Sequence, residues 1–235
     1  MRSCEKENGK DKQDMMIFTA ALGSALLVLA AFWASLRLLE PKYDLQLKKS
    51  GKSGLLYTGP CVLLTAFFTF AVILYAGMDR SRYADPFSWV QTLGMIWGMS
   101  VLAVTDYKAH KIPNDFLKIL LLLFAAIRGI AIIIDPQTGL SVLFRSLAGG
   151  LVGGLIFLLC YLLSRKQLGA GDVKLSAVLG LYATGEKIIG ILAYGILLCC
   201  IYSVIQVIRK KITIKDGVPL VPFLYAGMLL VELIL

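Results

Sequence analysis

Two aspartates stand out among the few acidic residues of an otherwise apolar chain. Asp106 directly follows an apolar run at residues 89–105, and Asp172 directly precedes another at residues 173–184. An ionisable side chain at the edge of a membrane-spanning segment is costly to retain, which makes it a candidate for function. Two carboxyl groups in one site readily share a proton, because like charges disfavour double ionisation. Such a pair could supply both a general base and a general acid for hydrolysis.

Asp106 stands just before a segment that must turn. Five residues separate it from Ile112, Pro113 and Asn114. Pro113 cannot continue a helix and biases the residue before it toward extended backbone, while Asn114 is typical of turns and helix caps. The helix that carries Asp106 is therefore predicted to end close to that aspartate.

Asp172 opens a predicted helix at the end of a glycine-rich stretch. Gly169 and Gly171 precede it, and Lys174 follows. Glycines permit positive φ and the close approach of another backbone, which a peptide substrate would need. A single aspartate at a helix end is most often only a cap, so the functional interpretation depends on the pair. Lys174 and Lys108 could tune that pair or simply mark one side of the membrane, and the second interpretation is favoured.

The other polar residues of this region fit structural roles. Three further aspartates suit helix caps or turns: Asp115, Asp135 and Asp216. His110 is interpreted as a solvated loop residue. The five cysteines include no C-x-x-C pair. The sequence therefore predicts no metal site and no cofactor.

The composition indicates that the bilayer is the solvent for most of the chain. Of 235 residues, 58% are hydrophobic and 17% are charged, and the mean hydropathy is +0.77. A soluble fold of this size could not hide so much apolar surface. The net charge of +9 comes from short segments between apolar runs, and no basic stripe interleaves with aromatic residues, so a nucleic-acid partner is not expected.

Apolar runs place the membrane-spanning helices. Crossing ~30 Å of hydrocarbon takes about 20 helical residues, and eight runs approach or reach that length: 16–36, 59–78, 89–105, 116–134, 142–163, 173–184, 187–208 and 218–235. The sixth is the shortest. We expect an all-α polytopic membrane protein with about eight transmembrane helices. It divides into an N-terminal extension, residues 1–88, with two spans and a short basic linker, and a six-helix core, residues 89–235.

Four glycines in the fifth span predict close helix packing. Gly149 pairs with Gly153, and Gly150 with Gly154, at the four-residue spacing that places small residues on one helical face. Such a face lets a neighbouring helix approach closely.

Charged residues between the spans predict the orientation in the cell membrane. Segments that follow the odd-numbered spans hold about twice as many lysines and arginines as the other segments. Positively charged loops favour the cytoplasmic side. Both termini are thus predicted outside, and Asp106 and Asp172 at the cytoplasmic face.

The two aspartate segments together resemble the aspartic prepilin peptidase family of GxGD-type membrane proteases. That family has an aspartate followed after five residues by Ile-Pro-Asn, and a Gly-x-Gly-Asp stretch that usually continues to a lysine. Here the matching residues are Asp106, Ile112, Pro113 and Asn114, then Gly169, Gly171, Asp172 and Lys174. A Pro-Phe-Gly-Pro-Phe-like segment of the family is matched in part, by Pro219, Pro222 and Phe223.

The resemblance, which covers roughly residues 89–235, implies a function and a partner. It implies a membrane aspartic endopeptidase with Asp106 and Asp172 as catalytic residues and no metal. The substrate would be a prepilin or pseudopilin precursor with a basic leader, a glycine before the cut and an apolar helix after it. Larger members carry two C-x-x-C pairs in an insert linked to N-methylation. Residues 40–58 contain no cysteine, so this chain would cleave without methylating.

Three alternatives remain. One is a pseudo-enzyme that keeps this fold as a pilus assembly component, against which the intact aspartate pair argues. An intramembrane protease of the presenilin and signal-peptide-peptidase type shares the Gly-x-Gly-Asp stretch, but its first aspartate normally follows a tyrosine, whereas Tyr107 follows Asp106 here. A proton-coupled membrane carrier could also use membrane acids, and it would be expected to show inverted repeats and broken helices.

Overall fold

Helices make up nearly all of the chain that the structure, a computed structural model, describes. It covers residues 2–43, 62–67, 69–71, 87–163, 168–210 and 217–234, and no strand occurs among them. Residues 62–67 and 69–71 are helical. The longer helices are α1 Arg2–Tyr43, α2 Ser88–Ala109, α3 Asn114–Ile134, α4 Pro136–Leu163, α5 Ala170–Ile208 and α6 Val221–Ile234. The prediction of an all-α fold is confirmed.

Three stretches of the described helices are long and apolar enough to cross a membrane. They are Asn114–Ile134, Pro136–Leu163 and Lys187–Ile208. Each exposes large apolar side chains, and Ile133 and Leu163 are both 82% exposed. Apolar faces this open are stable when lipid, not water, surrounds them. The chain is a multi-pass membrane protein, and the count of eight crossings stays a prediction.

Several helix boundaries differ from those predicted. The predicted span 59–78 is described only at residues 62–67 and 69–71. α4 begins at Pro136, six residues before the predicted start. Proline suits the first position of a helix because its missing N–H would have no partner there. The Asp135 carboxylate accepts the backbone N–H of Thr138 at 3.3 Å, which caps the added turn.

A break inside α5 separates the predicted sixth and seventh helices. Thr184 has φ 64° and ψ 168° and interrupts one continuous helical run. In an unbroken helix the carbonyls of Leu181 and Tyr182 would accept N–H groups four residues later. The buried Gln91 on α2 donates its amide to both carbonyl oxygens, at 3.1 Å and 2.7 Å. The carbonyl groups at the break are therefore hydrogen-bonded by a side chain from another helix.

α4 and α5 cross at the predicted glycine face. A Cβ added to Gly149 would lie 2.4 Å from the Gly180 carbonyl oxygen, and one added to Gly153 would lie 2.6 Å from that of Ser176. The Ser176 hydroxyl donates to the Gly153 carbonyl oxygen at 2.8 Å. Only glycine lets the two backbones approach so closely, so the predicted packing role is confirmed. This crossing fixes the helix that carries Asp172.

α2 forms the centre of the core. Its residues Ile96 and Leu102 are fully buried, with α1, α3, α5 and α6 packed around them. Phe32 and Leu36 of α1 are also fully buried. Lys42 near the end of α1 forms an ion pair with Asp115 in the first turn of α3. The first helix thus packs on the core, and the division at residue 88 stays a prediction.

Candidate active site

Asp106 lies in the last full turn of α2. The helix continues past the predicted end at Thr105 to Ala109, because nothing between Tyr107 and Ala109 interrupts it. It ends at His110, which adopts a left-handed conformation with φ 48° and donates its N–H to the Asp106 carbonyl oxygen at 2.8 Å. Asp106 is only 7% exposed. The helix end thereby sets the carboxyl group against the neighbouring helices.

Asp172 lies in the first turn of α5, as predicted. Gly169 is the extended residue that precedes the helix, and its carbonyl oxygen accepts the Asp172 N–H at 3.0 Å. Neither Gly169 nor Gly171 has positive φ, so the two positions do not use that conformational freedom. The glycines instead provide space. A Cβ on Gly171 would lie 3.2 Å from the Ile112 Cβ, and one on Gly169 would lie 2.9 Å from Asp172 Oδ2.

One cavity of about 430 Å³ brings the two aspartates together, and its lining is Asp106, His110, Lys111, Ile112, Asn114, Gly169, Ala170, Gly171, Asp172 and Lys174. All the predicted site residues line it except Pro113, which is the extended residue before α3. In the part of the chain that the structure describes, no group of three or more His, Cys, Asp or Glu could hold a metal ion.

The electrostatics of the two carboxyl groups are unequal. Both lie just outside the predicted spans 89–105 and 173–184. Burial and, after it, the negative charge of Asp106 raise the pKa of Asp172 to about 6, although the Gly169 backbone lowers it. Burial also raises the pKa of Asp106, while the backbone N–H groups of Val221 and Leu220 and the nearby His110 lower it. The pair can therefore hold one proton near neutral pH.

The backbone at the start of α6 takes part in the site. The Val221 N–H donates to Asp106 Oδ2 at 3.0 Å in a buried position. The predicted span began at Val218, whereas α6 begins at Val221. The helix starts there because the Leu220 carbonyl oxygen accepts the backbone N–H groups of Phe223 and Leu224. Sequence reasoning missed this contact, since a backbone donor leaves no side-chain pattern.

Two polar side chains at the cavity were not among the predicted site residues, and a third, Lys174, was. His110 is exposed, as predicted, but it lines the cavity. Its position four residues after Asp106 was an available signal, because residues at that spacing share a helical face. Lys111 also lines the cavity. Lys174 donates to the Asn114 side-chain oxygen at 3.3 Å, which joins the two motif segments.

An apolar cleft of about 270 Å³ lies beside the aspartate cavity. The last turns of α2, the end of α5, the segment before α6 and the first turn of α6 line it, through Ala103, Val104, Tyr107, Lys108, Tyr202, Pro219, Pro222 and Phe223. The rings of Tyr202 and Phe223 pack with centroids 5.1 Å apart. The cleft gives the partly matched Pro-Phe segment a position next to Asp106.

The matched region of a known family covers both aspartates. Residues 93–204 match the model of the type IV leader peptidase family. Over that region the chain is similar to this family. The family is one of proteases, and the match confirms the resemblance drawn from the two motifs. The segment of the candidate site that holds Val221 lies beyond the matched residues.

One curated relative supports the same family. The chain is 27% identical over 133 residues to a prepilin leader peptidase/N-methyltransferase of Bacillus subtilis (strain 168), which covers 57% of this chain and 51% of that protein. The chain thus spans about half the length of the relative that it matches. No solved structure matches it significantly.

Proposed function

We propose that this chain is a membrane aspartic endopeptidase that uses Asp106 and Asp172. The observation that carries the proposal is the meeting of two carboxyl groups, from separate helices, in one cavity with unequal environments. Aspartates that served only as helix caps would not need to lie in one cavity. The match to the type IV leader peptidase family includes both aspartates and supports a peptidase.

The proposed chemistry needs one ionised and one protonated carboxyl group. The ionised group takes a proton from water as the water oxygen attacks the scissile carbonyl carbon. The protonated group donates its proton to the carbonyl oxygen, which becomes a hydroxyl. As the tetrahedral species collapses, the first carboxyl group gives the proton that it took to the leaving nitrogen, and the C–N bond breaks. The second carboxylate takes a proton back from the hydroxyl as the carbonyl re-forms, which leaves a carboxylic acid and an amine. A shared proton makes this asymmetry available at ordinary pH.

The substrate class follows from the family and from the two cavities. We propose a prepilin or pseudopilin precursor with a basic leader and an apolar helix. Lys111 and Lys174 at the aspartate cavity would repel a basic leader, so its cations would stay outside while residues beside the cut enter. The apolar cleft at Tyr202 and Phe223 suits the start of the apolar helix.

We further propose a cell-membrane location with the site at the cytoplasmic face and both termini outside. The distribution of lysines and arginines supports this orientation. Cleavage without N-methylation is proposed because residues 40–58 contain no cysteine. Of that linker, residues 44–58 lie outside the described part of the chain.

Cleavage of a defined precursor tests the proposal. The purified chain in liposomes would be given a prepilin-type precursor with a basic leader, a glycine and an apolar helix, and product masses would be measured. Wild type is expected to cut after the glycine without adding a methyl group, and Asp106→Asn and Asp172→Asn are expected to leave the precursor intact. Asp135→Asn is the matched control, because Asp135 is exposed in the turn between α3 and α4. Cleavage by either site variant at the wild-type rate would contradict the two-carboxylate proposal.

A further inference from the structure

The two carboxyl groups differ in which backbone donors they receive. Asp106 accepts the buried N–H of Val221, the first residue of α6. The first N–H groups of a helix have no acceptor within it and carry partial positive charge. Hydrogen bonds of this kind stabilise a carboxylate over a carboxylic acid. Asp106 therefore receives support for its negative charge from a distant part of the chain.

The negative charge of an ionised Asp172 is less well stabilised than that of Asp106. Its carboxyl group interacts with the backbone of Gly169, in its own turn, and its pKa is raised by burial and by the charge of Asp106. Because the α6 backbone donates to Asp106, a proton added to the pair is expected to go first to Asp172. Because Gly169 has no Cβ, the Asp172 carboxyl can occupy the space beside it.

The charged side chains around the cavity do not cancel this difference. From α2 and the turn after it come His110 and Lys111, and from α5 come Asp172 and Lys174. Lys174 is hydrogen-bonded to Asn114. His110 lowers the pKa of Asp106 and so acts in the same direction as the α6 backbone. Lys108, two residues after Asp106 on α2, lines the apolar cleft.

We propose that the N-terminus of α6 gives the two carboxyl groups different roles: the Val221 N–H keeps Asp106 ionised as the base, and Asp172 is therefore the proton donor. This deepens the proposed peptidase function and rests on it. Asp106 then takes the proton of the attacking water and later gives it to the leaving nitrogen. Asp172 gives its proton to the carbonyl oxygen and recovers it as the carbonyl re-forms. Val221 is a positioning residue that acts through its backbone.

Replacing the N–H tests this role. Val221→Pro deletes the donor at the first position of α6, where proline is well tolerated, and Val221→Ala keeps the donor while shortening the same side chain. In Val221→Pro the acid limb of the kcat/KM profile is expected to move up by about one pH unit, because one donor to the carboxylate is lost. Val221→Ala is expected to keep the wild-type limb whatever its effect on rate. An unmoved limb in Val221→Pro would overturn the proposal.

A titration without substrate tests the same assignment independently of cleavage. The infrared band of the protonated carboxyl would be followed against pH in Asp172→Asn, which leaves Asp106, and in Asp106→Asn, which leaves Asp172. Asp106 is expected to lose its proton at the lower pH. The reverse order, or equal midpoints, would overturn the assignment. A protein that shows the expected order but cleaves no precursor would instead contradict the proposed function.

Discussion

Adding one methyl group at the crossing of α4 and α5 should destabilise the protein. A Cβ at Gly149 would lie 2.4 Å from the Gly180 carbonyl oxygen, 2.6 Å from the Thr184 carbonyl carbon and 2.9 Å from the Gly185 nitrogen. All three atoms are backbone, so no side chain can rotate away. Ordinary contact begins at 3.4 Å, which requires the two helices to separate by about 1 Å.

The size of this effect follows from two opposing contributions. Overpacking of this kind costs about 1–3 kcal/mol, and alanine recovers at most about 1 kcal/mol of helix propensity over glycine. Gly149→Ala is therefore expected to lose about 1–2 kcal/mol of unfolding free energy. Gly129→Ala on α3 is the matched control, since a Cβ there meets nothing within 4 Å. That variant should be unchanged or more stable.

Unfolding in detergent, monitored by circular dichroism or by a thiol-accessibility assay, measures both variants against wild type. The opposite signs are the informative result. If Gly149→Ala were as stable as wild type, the backbone contact between α4 and α5 would be looser than described, and the fixed position of Asp172 would lose its support.

Two further outcomes are expected. Asp172 has a pKa raised from 3.8 to about 6, so its contribution to stability is present below about pH 4 and is lost as pH rises through about 6. Asp172→Asn should accordingly gain stability relative to wild type at pH 8 and not at pH 4. Equal effects at both pH values in detergent unfolding would contradict the burial of that carboxyl. Lys187 donates to both Glu232 carboxylate oxygens, at 3.0 Å and 2.9 Å, and the Glu232 side chain is 5% exposed. Lys187→Met should lower the unfolding free energy by about 3 kcal/mol, because it leaves that buried carboxylate without its partner. The double variant with Glu232→Leu should recover most of this loss, and additive losses in the unfolding experiment would contradict the coupling.

Composition and motif order made the elements and the aspartate pair predictable. Apolar runs mark membrane helices because lipid demands a continuous apolar surface, and the described helices lie where those runs do. Polar ends were predicted less well. α4 begins at Pro136 and α2 ends at Ala109, because one or two polar turns can extend a helix beyond its apolar run.

The site was predictable to the extent that it consists of side chains. Asp106 and Asp172 were identified by type and local sequence, and the cavity brings them together. The Val221 N–H was not predictable, because its role comes from the approach of α6 to α2 across 115 residues of chain. Gln91 at the Thr184 break was missed for the same reason, since it binds carbonyls 90 and 91 residues away.

The initial rate of precursor cleavage in liposomes tests the central claim most directly. Asp106→Asn and Asp172→Asn should each reduce the rate by at least the 10²–10⁴-fold that a general acid or base typically contributes, and Asp135→Asn should cleave like wild type. Cleavage at the wild-type rate by either site variant would contradict the account, because each carboxyl is required in every turnover.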